Sequence, residues 1–141
     1  MSLKKFTILI TTKNRKEQLF FTLEKIKHLL ERDDVACIIC DDGSDDGTFE
    51  AVQNKHHEIS LIQNKKSKGL IYSRNRLMNL VETEYAISID DDLHFITPDP
   101  LEKIADFFEK EPKAGLLGFR IYWDALEPEI TETKEKAHRV K

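Results

Sequence analysis

Three consecutive carboxylates, Asp90, Asp91 and Asp92, close the apolar run "YAISI" at residues 85–89, and two more, Asp41 and Asp42, close "VACIIC" at 35–40. Crowded carboxylates repel and raise one another's pKa unless a positive group joins them. A hard divalent cation is the usual remedy. Mg2+ and Mn2+ prefer oxygen ligands, and Mg2+ is typically held by one or two carboxylates, waters and substrate phosphates. In an extended segment Asp90, Asp92 and His94 face one side and Asp91 the other, so Asp90 and Asp92 are the pair most able to share a metal. His94 is then either a further ligand or proton carrier, or an ordinary loop histidine. The plainer alternative for the whole triplet is a solvated turn, where Asp is common.

These groups need elements that aim them. Apolar runs of four to seven residues alternate with segments of helical period, the pattern of βαβ units around a mainly parallel sheet. The expected class is α/β, Rossmann-like, with a mainly parallel sheet flanked by helices in three α/β/α layers. Strands are expected at 6–11, 35–40, 59–63 and 85–89, and "AGLLGFRIYW" at 114–123 is a final strand candidate. Leu19, Phe20, Leu23, Ile26 and Leu30 recur at helical spacing and predict one helix over 16–30. Further helices are expected over 48–55, 70–81 and from about Pro100 to Lys110, the last with Asp99 as N-cap, Pro100 in the first turn and Glu102 as a capping-box acid. In an open parallel sheet, ligands bind beyond the carboxyl ends of the strands, so both acidic clusters should open onto one crevice.

Composition narrows the function classes. With 141 residues, 40% hydrophobic and 34% charged, the chain suits one domain with a continuous core. Its net charge of −4 lacks the basic footprint of a nucleic-acid binder. Lys65, Lys66 and Lys68 are a local exception, read either as solvated surface or as neighbours of a phosphate. No apolar stretch approaches the roughly 20 residues of a membrane span, and no charged-then-apolar leader precedes Phe6. The expectation is a cytoplasmic chain, or the soluble part of something larger, with membrane association only through parts not present. Cys37 and Cys40 have C-x-x-C spacing, but three residues apart on a strand they face opposite sides and read as core.

Four segments occur in order: "TILITTKNR" at 7–15, "IICDDGSDDGT" at 38–48, "GLIYSRN" at 69–75 and "ISIDDD" at 87–92, the last a D-x-D-type motif. Together they resemble the family 2 glycosyltransferases of GT-A fold, which transfer a sugar from a nucleotide-diphosphate donor. The resemblance implies that Thr11, Asn14 and Arg15 form the first loop around the nucleotide. It implies that Asp41 hydrogen-bonds the base, with Asp42 and Ser44 shaping the turn, and that Arg74 faces the nucleotide while Asn75 supports that helix start. Asp90 would lie near the ribose, Asp92 would bind the metal with Asp90 as second candidate, and Asp91 belongs to the same donor site. The implied cofactor is Mn2+ or Mg2+, the implied donor a UDP-sugar, and the acceptor a sugar, lipid or protein, with inversion at the transferred carbon.

The sequence departs from the family pattern in three places. Thr11-Thr12-Lys13-Asn14 replaces the usual Pro-x-aromatic-Asn, Ser73 stands where alanine is usual, and Met78-Asn79 lacks the usual small residue. The family's general base, an Asp or Glu of the acceptor half, is expected outside this chain; Glu127, Glu129 and Glu132 are acidic and downstream but have no packed context to hold them in reach of a proton. Residues 1–123 are therefore expected to be a nucleotide-sugar-binding domain lacking its acceptor half, and 124–141 a charged tail or the start of the missing part. Two other classes stay open: a non-catalytic nucleotide-sugar-binding or regulatory module, and a phosphoacceptor receiver domain. The receiver would need its acidic pair after the first strand, where this chain has Thr11 to Asn14.

Overall fold

The structure is a computed structural model that describes residues 3–122. Its centre is β1 (Phe6–Thr12), a seven-residue β-branched and apolar run in which every position is buried. Such a run has no polar face to offer water, so it belongs between two other strands. Parallel β2 (Val35–Asp41) pairs along its whole length on one side and parallel β4 (Tyr85–Asp90) on the other. A short β3 (Ser60–Gln63) adds to β2, giving a four-stranded parallel sheet in the order β3-β2-β1-β4. That is the α/β class expected from the sequence.

Helices cover both faces. On one, Ile8, Ile10 and Ile39 meet Leu19 and Leu23 of α1 (Lys16–Lys25), Leu29 of α2 (Lys27–Leu30), Val52 of α3 (Thr48–Lys55) and Leu101 and Ile104 of α5 (Pro100–Lys110). On the other, Leu9, Ile38 and Cys40 meet Leu77 of α4 (Leu70–Met78). Cys37 lies in the first cluster and Cys40 in the second, as strand alternation requires. Burial pushes the Cys37 thiol up to about 12, with the Glu58 carboxylate adding to it, so it acts as a small apolar side chain.

Four local expectations need correction. The helix over 16–30 is interrupted at Ile26, where the turn tightens: Leu29 N donates to Ile26 O at 2.8 Å, three residues back. This lets Ile26 and Leu29 both enter the core. The helix over 70–81 stops at Met78 and unwinds through turns in which Leu80 N donates to Leu77 O. Asp99 stands before α5 but makes no side-chain cap, because its backbone is left-handed (φ 50°), and Glu102 pairs with Arg32 instead of closing a capping box. Finally, residues 114–122 form no strand. An apolar run becomes a strand only with a ladder to join, and Leu116, 87% exposed, has none. Trp123, the expected boundary at 123/124 and the segment 124–141 lie outside the described residues.

Candidate functional site

The parallel register brings the chemistry to one edge. Thr12 is opposite Asp41 of β2, and Thr11 is opposite both Cys40 and, across the other ladder, Asp90 of β4. The two acidic clusters thus flank the last residues of β1, and the loop after β1 passes between them.

At the end of β4 the strand stops at Asp90 and turns, with Leu93 N donating to Asp90 O at 3.2 Å. The extended geometry expected for the triplet therefore ends one residue in. Asp91 is buried, accepts from Thr12 Oγ1 at 2.8 Å and pairs with Arg15 Nη1 at 3.3 Å, so it faces the same guanidinium as Asp92. Its backbone carbonyl accepts from Thr22 Oγ1 of α1 at 2.8 Å. Burial pushes the Asp91 carboxyl up, and the charges of Asp92 and Asp90 push the same way, against the Thr12 bond and the Arg15 guanidinium. Asp92, half-exposed, accepts from Arg15 Nη2 at 2.7 Å, and this bond above all raises the Arg15 pKa. Asp90, also half-exposed, accepts from Arg74 Nη2 of α4. Asp90 and Asp92 therefore share no partner: each has an arginine of its own.

At the end of β2 the carboxylates meet neutral donors. Asp41 accepts from the Ser44 backbone N at 3.1 Å, from Ser44 Oγ and from Gln63 Nε2 at 2.9 Å. Asp42 accepts four hydrogen bonds: Asn64 Nδ2, Ser67 Oγ and Lys68 N, each at 2.7 Å, and Gly69 N at 3.0 Å. Burial pushes the Asp42 carboxyl up, but these donors outweigh it and hold it well below the usual carboxylate range. Gly43, between Asp42 and Ser44, has φ 75°, and a Cβ there would lie 2.9 Å from Ser67 N. The turn and the 64–69 loop are packed backbone to backbone.

The remaining candidates have distinct places. Asn14, itself left-handed (φ 51°), ties the first loop to the β2 turn: its N donates to Ser44 Oγ at 2.9 Å, and its Oδ1 accepts from Asp45 N at 2.8 Å. Thr11 lies on the opposite face of β1 from Thr12, so Thr12 and not Thr11 reaches the acidic turn. Ser73 is fully buried and accepts from Asn64 Nδ2 at 2.9 Å, which accounts for a hydroxyl where the family pattern has alanine. Thr12, Thr22, Gln63, Asn64 and Ser67 carried no signal in the sequence, since their partners are distant along the chain. His94 packs edge-on against Phe21, with ring centroids 6.3 Å apart. Glu127, Glu129 and Glu132 lie outside the described residues.

Among the described residues no three His, Cys, Asp or Glu side chains converge to hold a metal. The donor chemistry nonetheless fits a hard cation that arrives with phosphates, which needs only one or two protein carboxylates. Asp90 and Asp92 are such oxygen donors, half-exposed at the open edge. Arg74 contributes a second feature: its Nε is buried and has no hydrogen-bond partner among the described residues. A buried donor without an acceptor is costly, and an incoming oxyanion would relieve it.

Residues 7–139 match the profile described as Glycosyl transferase family 2. The uncharacterized glycosyltransferase YfnE of Bacillus subtilis (strain 168) is 24% identical over 137 residues, covering 96% of this chain and 34% of its own length. The mannosyltransferase PcManGT from Pyrobaculum calidifontis, in complex with GDP-Man and Mn2+, superposes with a TM-score of 0.66 at 20% identity over 77% of this chain and 33% of that one. S. aureus TarS 1-349 in complex with UDP-GlcNAc superposes with a TM-score of 0.62 at 22% identity over 75% of this chain and 31% of that one. At such identities the two structures establish a shared fold, the GT-A fold, and this chain spans about a third of the length of each relative. Among the described residues no helix is long and apolar enough to cross a membrane.

Proposed function

The chain belongs to glycosyl transferase family 2, and on that premise we propose that its strand edge binds a nucleotide-diphosphate sugar, a UDP-sugar in the first instance, with a divalent cation. The observation that carries the proposal is the pair of arginines at one edge, Arg15 on Asp92 and Arg74 on Asp90, across β1 from the Asp41 turn. Asp41, fully buried and held by Ser44 and Gln63, would meet the donor hydrogens of a base where Gln63 Nε2 gives up its bond to Oδ2. Arg74, with one nitrogen on Asp90 and Nε unpartnered, offers a fork to a phosphate. Asp92 and Asp90 would hold Mn2+ or Mg2+, whose chemistry there is to offset the charge that develops on the departing diphosphate. Arg15 pairs with Asp92 and Arg74 with Asp90. Transfer proceeds with inversion to a sugar, lipid or protein acceptor, and none of the described residues is assigned as its general base.

Titration calorimetry with UDP in the presence and absence of Mn2+ or Mg2+ tests this directly. UDP is expected to bind more tightly with metal, and Asp92→Asn to remove most of that gain. GDP in parallel reads the base preference. Absence of nucleotide-diphosphate binding in both conditions overturns the proposal.

A further inference from the structure

The side chains of the lysines that the sequence singled out have no part in the site above; only the Lys68 backbone N reaches it, at Asp42. Residues 59–81 contain five of the chain's cations, Lys65, Lys66, Lys68, Arg74 and Arg76, and no Asp or Glu, within a protein of net charge −4. Arg74 and Arg76 are engaged, Arg74 with Asp90 and Arg76 with Gln63 O and Asn64 Oδ1, both at 2.8 Å. Lys65, Lys66 and Lys68 make no ion pair among the described residues. With Tyr72 and Arg76 they line a cleft of about 500 Å3.

The cleft adjoins an apolar tip. Every residue from Lys65 to Tyr72 is exposed, and the first turn of α4 shows water three large apolar or aromatic side chains in succession: Leu70 (50%), Ile71 (77%) and Tyr72 (51%). Successive residues of a helix lie about 100° apart, so three in a row are exposed only where the turn projects from the body. Asp42 holds this projection rigidly, since it accepts from Ser67, Lys68 and Gly69. An apolar, aromatic tip collared by unpaired lysines is complementary to a surface that is anionic outside and apolar beneath.

We propose that the 65–72 tip is a docking surface for an anionic lipid bilayer: Leu70, Ile71 and Tyr72 enter the interface, and Lys65, Lys66 and Lys68 meet the headgroup phosphates. The attachment is peripheral and reversible, since three side chains and three charges give only modest partitioning. It does not depend on the nucleotide site and places that site within a few nanometres of the bilayer, a distance set by the size of the domain.

Co-sedimentation of the full chain with phosphatidylcholine vesicles, with and without about one third phosphatidylserine, tests the proposal. Binding is expected to the anionic vesicles only and to weaken with salt. Lys65→Glu/Lys66→Glu is expected to lower partitioning by at least about tenfold, on the basis of about 1 kcal/mol for each charge near such a surface. Ile71→Ser should lower it severalfold, and circular dichroism checks that both variants fold. Equal sedimentation with neutral vesicles, no sedimentation with either, or partitioning unchanged by both variants overturns the inference. So does light scattering that finds a dimer dissolved by Ile71→Ser, because the tip would then be covered by a second copy. UDP calorimetry on the same variants keeps the nucleotide site a separate readout: Lys65, Lys66 and Ile71 lie outside it.

Discussion

The two acidic strand ends differ in what neutralises them. Asp42 at the end of β2 is surrounded by neutral hydrogen-bond donors, two of them backbone amides, and is buried. Asp90 and Asp92 at the end of β4 are half-exposed and each carries a guanidinium. Neutral donors inside a packed loop have no alternative partner, so they turn a carboxylate into architecture. Arginines at an open edge can exchange a carboxylate for a phosphate, which leaves the carboxylate free for a metal. A similar residue type at equivalent strand ends thus meets two kinds of partner, and the surroundings decide which.

Three experiments would break or sharpen that contrast. The largest effect is expected at Asp42: Asp42→Ala leaves four donors unpaired and should cost about 3 kcal/mol in a urea melt, with looser protection of the 64–69 amides in hydrogen exchange. Asp92→Asn, at the half-exposed end, should stay within about 1 kcal/mol of wild type in the same melt. If the two substitutions cost the same, the distinction between architecture and exchangeable charge is lost. Next in size is Arg74→Ala, expected to weaken metal-dependent UDP binding by about tenfold, or about 1.4 kcal/mol, while moving the melt little. A variant that loses stability and keeps its affinity would place Arg74 with Asp42 instead.

The smallest effect, and the most specific, lies in pH. Asp42 has a depressed folded pKa, so its contribution is complete above the ordinary carboxylate value of about 4 and is lost as pH falls below it. The stability gap between wild type and Asp42→Asn should therefore narrow on acidification. Asp91 is raised, so its contribution is complete below that ordinary value and is lost as pH rises through its higher folded one. The gap between wild type and Asp91→Asn should carry the opposite slope. Parallel slopes would show that the two ends are electrostatically alike.

The segments read correctly from the sequence share a physical property: their pattern is local. β1 and β2 are continuous β-branched runs, and α3 and α5 have their apolar residues at helical spacing and clear ends. Misreadings came where a partner elsewhere decides. Residues 114–122 are as apolar as a strand and are not one, since no ladder receives them. The α1/α2 break at Ile26 goes with the burial of both Ile26 and Leu29 in one core, which spacing alone does not reveal. The site divides in the same way. Asp41, Asp42, Arg74 and the aspartate triplet stand in motifs, whereas Gln63, Asn64 and Ser67 do not, because they act on carboxylates 22 to 25 residues away.

The sequence by itself determined the α/β class, the placing of both acidic clusters at strand ends and the family, because hydrophobic period and short motifs are properties of neighbouring residues. Only the tertiary structure decided which carboxylate is buried in the fold and which stays half-exposed at the open edge. That depends on whether amides or guanidinium groups arrive from other elements, and at the ends of β2 and β4 they arrive from α4, the 64–69 loop and the loop after β1.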